Sequence, residues 1–84
     1  MANKLWDARR EALRKLLKEV RKESSGLTQF ELSAVLGKPQ SYVSKYETGE
    51  RKLDYVEVYE ICEALNVSME EFNRLYESKI CGIM

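Results

Sequence analysis

Gln40, Ser41, Ser44 and Lys45 fall within six consecutive residues of the run PQSYVSKYETGERK. Their side chains offer an amide, two hydroxyls and an ammonium, none of which is a catalyst alone. As recognition groups they match the edges of base pairs. Glutamine pairs bidentately with adenine, lysine reaches the acceptors of guanine, and a hydroxyl serves either a base or a phosphate. The rest of the chain offers little competing chemistry. Histidine is absent, and Cys62 and Cys81 are too few and too far apart for a zinc site or a redox C-x-x-C pair. No paired carboxylates in an evident pocket and no phosphate loop stand out, so neither an enzyme activity nor a metal or other cofactor is expected.

A duplex can be read only if these groups are held on one side of a rigid element, and the surrounding pattern supplies one. Pro39 suits the start of a helix, where its fixed φ is no hindrance and its missing N–H had no partner to lose. Val43 and Tyr46, three apart, face inward and leave Gln40, Ser41, Ser44 and Lys45 on the wet side, up to a stop at Gly49. A preceding helix starts at Thr28, where TQFE fits a capping box, places Leu32 and Leu36 inward, and stops at Gly37. Two short helices joined by LGKPQ make a helix-turn-helix candidate, the first bracing the second for a major groove.

Three further helices complete an all-α plan. From about Lys4 to Ser24, Leu13, Leu16, Leu17 and Val20 recur at helical spacing, ended by Gly26. Asp54 caps a helix from about Tyr55 to Leu65, whose inner stripe is Val58, Ile61, Cys62 and Leu65. SMEE at Ser68 to Glu71 is a second capping-box pattern, opening a last helix with Phe72, Leu75 and Tyr76 inward. The 84 residues predict one domain, with the motif at about 28–48 and a tail from about 78 to 84.

Net charge is zero, but it is unevenly spread. Before Leu53 there are twelve Lys and Arg against seven Asp and Glu; from Leu53 onward there are two against seven. Such a molecule has a basic end that can face phosphate. The longest apolar runs are two or three residues, so no membrane span is expected. Charges throughout the N-terminus argue against a secretory signal, and reduced thiols suit a cytoplasmic protein.

The run GLTQFELSAVLGKPQSYVSKYETGERKLDYVEVYEICEALNVSMEEF resembles the phage-repressor and Cro-like (Xre-type) helix-turn-helix family. The signatures are LTQ-x-x-L from Leu27 to Leu32, Gly37 in the turn, QSYVSKYE-x-G from Gln40 to Gly49, and ALNVS from Ala64 to Ser68. The resemblance implies a compact five-helix, lambda-repressor-like DNA-binding domain. Gln40, Ser41, Ser44 and Lys45 would then read bases of double-stranded DNA. It also implies backbone or adjacent contacts from Gln29, Tyr42, Thr48, Arg51 and Lys52, and a structural ion pair between Arg21 and Glu47. The family's fifth helix often carries a twofold dimer contact, here Met69, Phe72, Leu75, Tyr76 and Ile80, so a homodimer on an inverted-repeat operator is the expectation. Ser33 stands where the family favours alanine, Pro39 replaces a capping hydroxyl, SSG before Leu27 is one residue longer than usual, and Phe30 is an exposed aromatic.

The resulting expectation is a small transcriptional regulator of repressor or controller type. No ligand-sensing domain is visible, so control is expected from concentration, a partner protein or proteolysis. The alternative is a protein–protein module or antitoxin on the same fold, its acidic C-terminal half taking a partner. CGIM at Cys81 to Met84 formally fits a prenylation signal, but Gly82 is a poor aliphatic position and the preceding segment is not polybasic.

Overall fold

The structure, a computed structural model, describes residues 4–82, with side chains from residue 7 onward; Ile83 and Met84 of the CGIM motif lie outside the described residues. Five α-helices follow in order: α1 Lys4–Val20, α2 Gln29–Val35, α3 Tyr42–Thr48, α4 Tyr55–Ala64 and α5 Met69–Ile80. No strand occurs among the described residues, and no helix there is long and apolar enough to cross a membrane.

The long first helix buries Leu16, Leu17 and Val20, with half-buried Leu13 one turn earlier. It does not end at Val20 but widens into a π-helical turn, Arg21–Ser25, closed by Gly26 at φ 68°. A π-turn takes in one more residue than an α-turn, so the chain between Val20 and Gly26 is wound more loosely than the helix before it. Ser25 holds the turn in place: its hydroxyl donates to the Arg21 carbonyl at 2.7 Å and accepts the Leu27 amide at 3.3 Å.

Local chemistry sets the later helix ends. At α2 the Thr28 hydroxyl accepts the Glu31 amide and the Glu31 carboxylate accepts the Thr28 amide, a complete capping box. Asp54 and Glu57 form a second complete box at α4. Ser68 makes only half of one: its hydroxyl accepts the Glu71 amide, while the Glu71 carboxylate stands 4.0 Å from Arg74. A partner one turn along the exposed helix draws the carboxylate away from the cap. The helices α2 and α4 also end alike. Gly37 at φ 67° and Asn66 at φ 63° take the left-handed conformation. Lys38 and Val67 then send their amides back to the carbonyls of Ser33 and Cys62. Asparagine is the residue other than glycine that most readily accepts this geometry.

One core unites the helices. Leu32 of α2, Val43 and Tyr46 of α3, Ile61 and Cys62 of α4, and Phe72 of α5 meet Leu16 and Leu17 of α1. Leu75, expected inward, is instead 38% exposed, because Phe72 and Tyr76 take the inner face of α5 and the Tyr76 hydroxyl donates to the Arg9 carbonyl at 3.0 Å. The tail also begins later than expected, since Ser78 to Ile80 belong to α5.

The buried pair Arg21–Glu47 crosses this core edge. Arg21 Nε donates to Glu47 Oε2 at 2.8 Å and Nη2 to Oε1 at 3.1 Å, with 6% and 2% of the two side chains exposed. Arg21→Ala would strand a buried carboxylate and should lower unfolding free energy in urea by about 3–5 kcal/mol, while Arg21→Met with Glu47→Leu should lose less than either single change. Burial also pushes the Cys62 thiol up to about 11. At about pH 8, Ellman's reagent should label exposed Cys81 in the folded protein and reach Cys62 only on unfolding.

Candidate nucleic-acid interface

Gln29 opens α2, and Gln40 and Ser41 open the turn into α3. Expected as the first residues of a helix at 40–48, Gln40 and Ser41 instead precede the α-helix proper. The Tyr42 amide donates to the Pro39 carbonyl at 2.9 Å, a tight turn, and the first α-helical bond runs from the Lys45 amide to the Ser41 carbonyl. Proline fixes the turn, and Ser41, in a helical backbone conformation, makes no side-chain cap.

The turn is latched from beneath by Ser33, which is wholly buried. Its hydroxyl accepts the Val43 amide at 3.3 Å and donates to the Gln40 carbonyl at 3.4 Å. An alanine there would leave two polar backbone groups without this partner. The departure from the family's favoured alanine is thus a joint between the two helices.

On the outer side, Gln40, Ser41 and Lys45 are exposed and Ser44 is half-buried, while Val43 and Tyr46 fill the core side. These four share the wet face at the start of α3. Lys52 is exposed in the loop beyond. The remaining expected contacts are tied into the fold. Gln29 Nε2 donates to Glu47 Oε1 at 2.8 Å, joining α2 to the buried ion pair. The Thr48 hydroxyl donates to the Lys45 carbonyl at 3.1 Å.

Tyr42 is placed differently from its expected role at the DNA: only 6% of it is exposed. Its ring meets Tyr46 edge-on with centroids 5.6 Å apart, and the Lys38 ammonium and the Arg51 guanidinium stand 5.5 Å and 5.1 Å from its centroid. Both distances suit cation–π attraction. Burial first, then the nearby Glu57 carboxylate, raises the Tyr42 phenol above its ordinary pKa. Arg51 in turn forms an ion pair with Glu57, with which the Tyr42 hydroxyl makes a long hydrogen bond of 3.5 Å. The Asp54 amide, and next the Arg51 guanidinium, hold the Glu57 carboxyl below its ordinary range. Glu57 thus orders the loop through both Arg51 and Tyr42. Sequence reasoning passed over it, although its place three residues after the Asp54 cap was a usable signal.

The five residues expected at a dimer contact do not form one exposed face. Phe72 is core, Met69 and Tyr76 pack against the core, Ile80 is half-buried, and Leu75 is exposed. Apolar exposure is concentrated elsewhere. Tyr55, Val56 and Tyr59 on the outer side of α4 are 67%, 62% and 45% exposed, and Val35 and Phe30 of α2 also face outward.

A helix-turn-helix family model matches residues 17–72, from the second half of α1 into the first turn of α5. Comparison with curated proteins and with solved structures found no match. The family match covers the braced turn, the wet start of α3 and the loop ordered by Glu57. The chain therefore belongs to the Xre/Cro/lambda-repressor-like helix-turn-helix family, a family of DNA-binding regulators.

Proposed function

We propose that this chain is a sequence-specific, double-stranded DNA-binding transcriptional regulator of repressor or controller type, acting in the cytoplasm. The observation that carries this reading is the joint exposure of Gln40, Ser41 and Lys45 on a turn anchored from below by Ser33, Val43 and Tyr46. Such a turn lets the start of α3 enter a major groove without the side chains having to be ordered by the DNA itself. Gln40, Ser41, Ser44 and Lys45 read base edges. Lys52, with Arg51, Gln29 and Thr48 at the periphery, sets register on the backbone. Bound at an operator, the protein controls transcription by excluding or touching the polymerase.

The reading includes a homodimer, because one small module has little area for specific binding and two reach half-sites about 34 Å apart. The outer face of α4 is the surface available for the second copy. A shallow groove between the end of α2 and α4 is lined by Val35, Leu36 and Lys38 on one side and by Glu60, Glu63 and Ala64 on the other. A twofold arrangement sets the lysine of one copy against the glutamates of the other.

Selection from a randomised duplex pool at moderate salt should enrich an inverted repeat. Enrichment of nothing by the folded protein would sink the operator reading and favour a partner-binding module. Lys45→Ala should cost about 1–3 kcal/mol and relax the preference at one base position, whereas Lys52→Ala should weaken all sequences alike. In sedimentation equilibrium, Tyr59→Asp should weaken self-association by at least about tenfold, or about 1.4 kcal/mol. Leu75→Asp should leave it unchanged; the reverse pattern would return the contact to α5.

A further inference from the structure

Most of α1 lies outside the matched residues 17–72, yet its residues from Asp7 to Arg14 form one wall of a cleft. This cleft, of about 550 Å³, runs between α1 and the loop joining α3 to α4. Four cationic side chains line it, Arg10 and Arg14 from α1 and Arg51 and Lys52 from the loop, against two carboxylates, Asp7 and Glu11. With Glu57, the ion-pair partner of Arg51, counted as well, four cations face three carboxylates, a small local excess of positive charge. Low-dielectric walls focus such a field on an anion.

Arg14 is positioned for this by Gly49. A Cβ built on Gly49, whose φ is 90°, would stand 3.1 Å from Arg14 Cζ, so the guanidinium rests directly on the turn that ends α3. Glycine suits that φ without strain and leaves the guanidinium room to lie against the turn. Within α1, the nearest carboxylate oxygen of Glu11 is 3.9 Å from Arg14 Nη2, and 29% of the Arg14 side chain is exposed. The guanidinium thus lines the same cleft as Lys52, with surface still open to a ligand. A planar fork of N–H donors next to an ammonium is the pairing that phosphate oxygens favour.

We propose that this cleft is a phosphate seat, in which Arg14 and Arg10 of α1 act together with Lys52. The phosphate can belong to the backbone of bound DNA or to a free phosphorylated molecule; the cleft's volume lies in the range of small-molecule sites. The first source rests on the operator reading above and extends its footprint beyond the helix-turn-helix. The second stands without it.

The test compares the full-length protein with Arg14→Gln and with Arg10→Gln, an exposed change chosen in case the first disturbs folding. For a backbone phosphate, the slope of log K against log salt on a selected duplex becomes shallower by about 0.9 for each phosphate no longer neutralised, with the preferred sequence unchanged. For a free phosphate, pyrophosphate titrated without DNA into ¹⁵N-labelled protein shifts the Gly49 and Arg51 amides saturably, and the variants do not respond. Either result supports the seat. If both folded variants keep the parent's salt slope, and pyrophosphate gives no saturable shift or one the variants retain, the proposal is overturned. Failure of the parent to select any duplex would count against the operator reading alone, since the pyrophosphate titration still decides the cleft.

Discussion

The buried pair of Arg21 and Glu47 is the constraint on which the arrangement of the first three helices depends. Taking two charges out of water costs several kcal/mol for each ion, and their attraction offsets this only with good geometry and every remaining group satisfied. Both conditions are met here. Two guanidinium nitrogens meet two carboxylate oxygens, the Leu27 carbonyl accepts Arg21 Nη1 at 2.8 Å, and Gln29 adds a further donor to Glu47. Through these four residues the end of α1, the lead into α2, the first residue of α2 and the last turn of α3 share one polar joint. Apolar contacts alone would let α3 slide or rotate at small cost. A directional network inside the core edge selects one orientation, and therefore one direction for the wet face.

The π-turn follows from the same constraint. Arg21 has to meet Glu47 while Leu27, six residues on, stays packed against the core. Widening the helix across Arg21–Ser25 preserves both, and the Ser25 hydroxyl closes the wider turn on the Arg21 carbonyl.

Around the proposed reading surface, polar groups are divided between holding and offering. Ser33 holds the turn, Gln29 holds the ion pair, and Glu57 with Tyr42 holds Arg51. Gln40, Ser41 and Lys45 are left outward on a backbone that these contacts have already ordered. Pre-ordering matters because freezing side chains and loops on binding costs free energy that direct contacts must then offset. Part of the uneven charge of the chain has its counterpart in space, since four of the twelve cations before Leu53 line the cleft between α1 and the loop after α3.

What could be read from the sequence alone was whatever depends on neighbours three or four residues apart. The box at Thr28, the cap at Asp54, the stops at Gly26, Gly37 and Gly49, and the buried stripes of Leu16, Leu17 and Val20 and of Val58, Ile61 and Cys62 are of this kind. So is the division of α3 into an inner and an outer side, because a helix repeats its faces within one turn. The helix-turn-helix family followed from those elements in order. Tertiary structure decided the rest, because the deciding partners are distant in the chain. Tyr42 became core once Tyr46 and the Arg51–Glu57 pair closed around it, and Phe72 and Tyr76 were spent inside the protomer once α5 lay on α1. The open apolar side of α4 and the approach of Arg14 to Gly49 likewise appear only after packing. Periodicity says which side of a helix is apolar; only the packed fold says which apolar and charged groups are left over.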